Sequence, residues 1–102
     1  MNSDAIKNII SHENLSIPKN IIEDKNLNFD EKCFLSVLLI FFKYQGTCKE
    51  KNEYFASFMN RSQRTITRLV KKLYQKGYIN CVYYDGENAR VITLGDSYNN
   101  GN

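Results

Sequence analysis

Residues 53–79, EYFASFMNRSQRTITRLVKKLYQKGYI, constrain the fold more than any other part of the chain. Four aliphatic side chains recur there at intervals of three and four residues, the spacing of one buried stripe on a helix: Ile66, Leu69, Val70 and Leu73. The remaining face carries only basic and neutral polar groups, and residues 61–76 contain six basic residues and no acidic one. The segment therefore predicts an amphipathic helix with one face in a core and a positively charged face outside it.

Capping residues mark a second, shorter helix just before this one. Asn52 is suited to the N-cap of a helix over residues 53–59, and Asn60 to the turn that follows, since Asn tolerates a positive φ. We expect three side chains of this first helix to point inward: Phe55, Phe58 and Met59. Ser62 then caps the basic helix, which continues to Lys76 and stops at Gly77.

The N-terminal half of the chain also has helical patterns. A short helix is expected over residues 3–10, and another over residues 18–23, where a proline in the first turn fixes φ for a helix start. Asn28 and Glu31 have the spacing of a capping box, and they predict the start of a longer helix over residues 29–44.

The C-terminal part has a β-hairpin pattern. Residues 79–84 and 89–94 are rich in β-branched and aromatic side chains, and residues 85–88, DGEN, supply a turn between them. Residues 47–49 are a further candidate for a short strand. The polar, Gly- and Asn-rich residues 95–102 are expected to be a flexible tail.

The helix over residues 29–44, which we expect to end at Gly46, is apolar nearly all round, so it must be covered on both sides. One side can pack against the helix pair, and the other needs either the N-terminal segment or a second copy of the chain. For a homodimer, the candidate interface residues are Leu35, Leu39 and Phe42.

Composition excludes several classes of protein. The 102 residues suffice for one small domain. The single histidine, His12, and three cysteines without Cys-x₂-Cys spacing give no usual metal site, and we expect no metal and no cofactor. The sequence has no phosphate-binding Gly-rich loop and no nucleophile with a nearby base. We therefore do not expect an enzyme. The apolar run at residues 34–42 is shorter than the about 20 residues that span a bilayer. A cytoplasmic protein without a membrane partner is expected.

The distribution of charge indicates a polyanionic partner. The net charge is only +3, yet residues 43–76 carry nine Lys or Arg against two Glu, whereas residues 1–31 carry six acids and three Lys. A compact helix with a basic face, placed second in a helix–turn–helix, meets the requirement for entering the major groove of double-stranded DNA. The candidate contacts on this recognition helix are Arg61, Ser62, Gln63, Arg64, Thr65, Thr67, Arg68, Lys71 and Lys72, and those on the hairpin are Tyr84, Asn88 and Arg90.

The candidate contacts differ in role. Arg64 and Arg68 can each present a bidentate fork to guanine, and Gln63 can pair with adenine. Ser62 and Thr65 lie where helix-start groups meet phosphate. Lys71 and Lys72, farther along the helix, are expected at the DNA backbone.

Two stretches resemble a known group of domains: IPKNIIEDKNLNFDEKCFL, and YFASFMNRSQRTITRLVKKLYQKGYI followed by the hairpin. They are similar to winged helix–turn–helix domains of plasmid and phage proteins, especially replication-initiator N-terminal domains and small mobile-element regulators. The resemblance covers residues 17–94 and implies a mainly α fold with one β-hairpin, the wing. It also implies that Ala56 allows close approach of the two helices and that Gly77 turns the chain into the wing. Asn60 departs from the Gly usual at the turn.

These observations predict a domain over residues 17–94, with an N-terminal extension over residues 1–16 and the tail over residues 95–102. Sequence-specific binding of duplex DNA is the expected activity. The resemblance favours an accessory role at a plasmid or mobile-element origin, in replication or conjugative transfer, with other DNA-processing proteins as further partners. The alternatives are a small transcriptional repressor and a winged-helix protein-interaction module.

Overall fold

The computed structural model describes residues 1–12, 15–84 and 89–96. Over these residues the chain forms five helices and two strands: α1 Ser3–His12, α2 Lys19–Ile22, α3 Phe29–Gln45, α4 Asn52–Met59, α5 Gln63–Gln75, β1 Ile79–Tyr84 and β2 Ala89–Leu94. This order confirms the predicted winged helix–turn–helix class, mainly helical with one hairpin. None of the helices in the described ranges has the length and apolar character needed to cross a membrane.

The chain divides into two compact units, Met1–Gly46 and Thr47–Asn102. In the first unit, α1 and α2 both contact α3. Ile6, Ile10 and Ile21 on the two short helices are buried. Residues 1–16 therefore contribute a packed helix to this unit, while the division into residues 1–16, 17–94 and 95–102 stays a prediction.

Helix α3 begins at the predicted capping box. The Asn28 amide donates to Oε1 of Glu31 at 2.8 Å, and the Glu31 amide donates to Oδ1 of Asn28 at 2.8 Å. The helix ends at Gly46, whose φ of 78° is left-handed and whose amide donates to the Phe42 carbonyl at 2.8 Å. Both ends of this helix are thus determined by local side-chain and backbone chemistry.

The expected dimer-interface residues on α3 differ in their exposure. Leu35 is fully buried, so in this conformation it belongs to the core and offers no surface to a second copy, which corrects its assignment to an interface. Leu39 and Phe42 are half-buried. A dimer contact through these two residues stays a prediction.

The second unit contains the helix pair and the hairpin. The predicted stripe on α5 is confirmed as core, because its four residues are all buried: Ile66, Leu69, Val70 and Leu73. Asn60 takes the left-handed conformation in the turn between α4 and α5, with φ 56°. Phe55 points inward as expected, whereas Phe58 is 37% exposed and stacks against Tyr54. The inward orientation predicted for Phe58 is therefore wrong.

Strands β1 and β2 pair antiparallel, with Ile79 opposite Leu94 and Tyr84 opposite Ala89. Cys48 forms an isolated antiparallel bridge to Ile92, in which each amide donates to the other residue's carbonyl at 2.9 Å. The short strand expected over residues 47–49 is reduced to this one bridge. The hairpin turn expected at residues 85–88 lies outside the described residues.

Gly95 belongs to the fold, although it is the first residue of the predicted flexible tail. It is buried, and its amide donates to the Tyr78 carbonyl at 2.8 Å. A Cβ at this position would clash with the Gly77 carbonyl oxygen and lie 2.7 Å from the Ile79 amide nitrogen. The missing side chain thus allows the end of β2 to close against the segment before β1; residues 97–102 lie outside the described ranges.

We predict that Gly95→Ala lowers the free energy of unfolding by about 1–3 kcal/mol, since a methyl group pressed against backbone atoms forces a shift. Urea denaturation monitored by circular dichroism measures this loss. Gly46→Asn is the matched control, because Asn tolerates the left-handed conformation and the position is open, with nothing within 4 Å of an added Cβ. Equal loss of stability in the two variants would contradict the close approach at Gly95.

Candidate nucleic-acid interface

Helix α5 presents a basic face because its opposite face is fixed in the core. It begins at Ser62, whose Oγ accepts a hydrogen bond from the Thr65 amide at 3.1 Å. Its first turn contains no acidic residue. Eight side chains of the helix are exposed: Gln63, Arg64, Thr67, Arg68, Lys71, Lys72, Tyr74 and Gln75. This exposed set carries four positive charges and no negative one, as an anion-binding surface requires.

The side chains of this face differ in how strongly they are held. Arg68 donates from Nη2 to Oγ1 of Thr65 at 3.3 Å, so its guanidinium is anchored near the start of the helix. Thr65 is half-buried and also contacts the Ser62 hydroxyl, 3.0 Å away. Arg64 makes no side-chain hydrogen bond or ion pair within the described residues and is exposed. Of these three, Arg64 is therefore the group best placed to reach a ligand.

Thr67 joins the two helices of the motif. Its hydroxyl accepts from Nδ2 of Asn52 at 2.9 Å and donates to the Gln63 carbonyl at 3.2 Å. Asn52 was expected at the N-cap of α4, but Lys51 occupies that position and Asn52 is the first residue of the helix. Through its bond to Thr67, Asn52 links α4 to α5. The Thr67 hydroxyl is thus hydrogen-bonded within the protein, although the side chain is exposed; its predicted contact with DNA stays a prediction.

Arg61 lies in the turn before α5. Its Nη1 donates to the Asn60 carbonyl at 3.1 Å and to the Met59 carbonyl at 3.5 Å. These carbonyls lie at the C-terminal end of α4, where a positive side chain interacts favourably with the helix dipole. The structure thus gives Arg61 a role in the turn; its predicted contact with DNA is untested.

The wing differs most from the sequence-based expectation. Tyr84 is 47% exposed, as a wing contact requires, and Asn88 lies outside the described residues. Arg90 is only 9% exposed, and its Nη2 donates to the Glu50 carbonyl at 3.2 Å. The guanidinium is therefore largely buried and joins β2 to the segment before α4, and the predicted contact of Arg90 with DNA stays a prediction.

Two tyrosines in this unit have altered acidities. Burial raises the pKa of Tyr54 to about 12, with a further contribution from the nearby Glu50. Burial also raises the pKa of Tyr83, the neighbouring Cys81 raises it further, and the Arg90 guanidinium opposes the rise. Tyr83 lies opposite Arg90 in the hairpin register, so its hydroxyl is beside the guanidinium. Both hydroxyls therefore stay protonated at neutral pH and can act as hydrogen-bond donors.

Sequence reasoning missed Asn52 and Arg90 as residues that hold the site together. Nothing in the spacing of the sequence brings Asn52 to Thr67, 15 positions later, or Arg90 to Glu50, 40 positions earlier. Within the described part of the chain, no group of three or more His, Cys, Asp or Glu side chains could hold a metal ion.

A helix pair, an exposed basic second helix and a hairpin define the class of winged helix–turn–helix domains that bind DNA. Comparison with known families agrees over part of the chain: the sequence profile of the MarR family, a winged-helix family of DNA-binding regulators, matches residues 37–82. This match runs from the middle of α3 through α4 and α5 into β1. No curated protein and no solved structure matches the chain significantly. The likeness to replication-initiator domains stays a prediction.

The role of Thr67 leads to a test on stability. We predict that Thr67→Val, which keeps the shape but removes the hydroxyl, lowers the free energy of unfolding by about 0.5–1.5 kcal/mol, because Asn52 loses its acceptor. Thr67→Ser is the control, since it retains the hydroxyl. Chemical denaturation of both variants provides the measurement; a Val variant as stable as the Ser variant would show that the bond between α4 and α5 contributes nothing.

Proposed function

We propose that this protein binds double-stranded DNA in a sequence-dependent manner, with α5 in the major groove and the wing beside it. The observation that carries the proposal is the exposed face of α5, where Arg64, Arg68, Lys71 and Lys72 have no acidic side chain among them. A helix of 13 residues with one buried face has the dimensions of a major-groove reader. No covalent chemistry is needed for this activity.

Base and backbone contacts are divided along the helix. Gln63 and Arg64 are exposed in the first turn of α5 and are proposed to read base edges, with Arg64 forming the bidentate pair with guanine. Arg68, which is hydrogen-bonded to Thr65, is proposed as a second contact on the same face of α5. Lys71 and Lys72 lie one to two turns farther along and contact phosphates. Ser62 and Thr65 lie at the N-terminus of the helix, where phosphate oxygens are favoured, and the Thr65 amide itself is bonded to the Ser62 hydroxyl.

For the biological role, we propose an accessory protein that occupies a site at a plasmid or mobile-element origin and helps to assemble the replication or transfer machinery. This rests on the resemblance of residues 17–94. A small transcriptional repressor is the second candidate, and the match to the MarR family profile favours it. A homodimer fits both roles, since two copies would bind half-sites spaced by about one helical turn of DNA.

Arg64 and Lys71 provide a matched pair of substitutions. We predict that Arg64→Ala weakens binding to the preferred sequence by about 1–3 kcal/mol and relaxes the preference at one base position. Lys71→Ala should weaken binding to all sequences alike and reduce the magnitude of the log K against log salt slope by about 0.9, the loss of one phosphate contact. Fluorescence anisotropy with specific and random duplexes at several salt concentrations measures both effects.

If the two variants reduced specific and random binding to the same extent, α5 would act as a charged surface only. If neither variant had an effect, the proposed interface would be wrong. Circular dichroism spectra identical to the unsubstituted protein serve as the control for folding, because both side chains are exposed.

Selection of genomic and replicon fragments by the purified protein, followed by sequencing, distinguishes the biological roles. Enrichment of repeated boxes at an origin supports the accessory role, and enrichment at a promoter supports the repressor. If no fragment is enriched and the affinity for DNA does not change with salt concentration, the protein-interaction module is the remaining candidate. Sedimentation equilibrium with and without the enriched duplex gives the stoichiometry, and two copies per paired site is the expected result.

A further inference from the structure

A cavity of about 250 Å³ lies within the second unit, between the start of α4, the start of α5 and β2. Its lining combines apolar surface with charged and polar side chains. Three basic side chains line it, Lys49, Lys51 and Arg90, together with Asn52 and Thr67. Among the described lining residues, Glu53 is the one acidic side chain, so the formal charge of this described lining is positive.

Arg90 forms the buried part of this lining. It is 9% exposed, and its Nη2 is used by the Glu50 carbonyl. Its Nε is buried and has no hydrogen-bond partner among the residues that the structure describes. A buried N–H without an acceptor is costly, most of all on a charged group. Arg90 also lines the cavity, so an acceptor atom bound there would lie beside its positive guanidinium, and an anionic acceptor is favoured.

The other groups around the cavity suit the same kind of ligand. Lys49 and Lys51 are exposed and can turn their ammonium groups toward an anion at the mouth. The first turn of α4 receives no hydrogen bond from the side chain of its N-cap, Lys51. Oδ1 of Asn52 is buried and also without a partner in the described part of the chain. It can accept a hydrogen bond from a water bound to the anion.

We propose that this cavity binds a phosphate oxyanion and that its source is a backbone phosphate of bound DNA. The identity of the source rests on the proposed function. Gln63, the first residue of α5, also lines the cavity, so a phosphate held there lies beside the base that α5 would read. Because Arg90 belongs to β2, one bound phosphate would contact the wing, the start of α4 and the recognition helix together. Free phosphate is the other source with the same chemistry.

The test uses the N–H correlation of the Arg90 Nε in a nitrogen-15 NMR spectrum of the full chain. Inorganic phosphate is titrated at constant ionic strength, with chloride as the reference anion. We expect a saturable shift of the Arg90 Nε–H and the Asn52 amide with phosphate and none with chloride. Lys49→Gln and Lys51→Gln, both at exposed positions, should each raise the phosphate Kd by about two- to fivefold. Lys25→Gln, an exposed charge in the first unit, should leave it unchanged.

Duplex DNA is then added in place of phosphate. Shifts of the same two resonances, and release of prebound phosphate, support a backbone phosphate as the source. If phosphate binds at the cavity but added DNA binds without moving the two resonances, DNA is not the source of the phosphate. Free phosphate is then the ligand. The site itself is wrong if phosphate causes no saturable shift of the Arg90 and Asn52 resonances and DNA leaves the same two resonances unchanged. A protein that binds phosphate but no DNA contradicts the proposed function and leaves the anion site supported.

Discussion

The second unit depends above all on burial of one face of α5. Ile66 and Leu73 are fully buried, and Leu69 and Val70 are 6% and 4% exposed. Each such side chain contributes about 1.5–3 kcal/mol relative to exposure to water. A 13-residue helix is marginal in isolation, and the β-branched residues of α5 weaken it further. The core contact therefore stabilises the helix and also fixes its rotation, which determines the residues that point outward.

Polar contacts then fix the elements around α5. Asn52 joins α4 to α5 through Thr67, and Arg90 joins β2 to the segment before α4 through the Glu50 carbonyl. The Cys48–Ile92 bridge adds a backbone connection on the far side of β2. Such contacts contribute about 1 kcal/mol each, much less than the apolar core, but they are directional. The hydrophobic effect makes this unit compact, and these hydrogen bonds specify where α5 and the hairpin lie within it.

Periodicity and capping predicted what depends on neighbouring residues. The α5 stripe, the capping box of Asn28 and Glu31, and the left-handed turn at Asn60 were all visible in the sequence, because each is determined within about one helical turn. Arg90 and Thr67 could not be placed in this way. An arginine on a hairpin has the same local pattern whether it reaches solvent or a carbonyl 40 positions away. Phe58 was misplaced for the same reason, since the spacing of the helix alone does not show which neighbours exist to cover it.

The charge pattern of α5 carries an energetic argument of its own. Arg64 and Arg68 are four residues apart, as are Arg68 and Lys72, and like charges at this spacing destabilise a helix by about 0.2–0.5 kcal/mol per pair. Acidic residues at some of these positions would have replaced repulsion with attraction, and the chain has 11 acids elsewhere. A polyanion bound along this face removes the repulsion and stabilises the folded state by mass action. This unfavourable spacing of like charges is expected on a surface that binds phosphates. A surface exposed only to water would gain nothing from the same spacing.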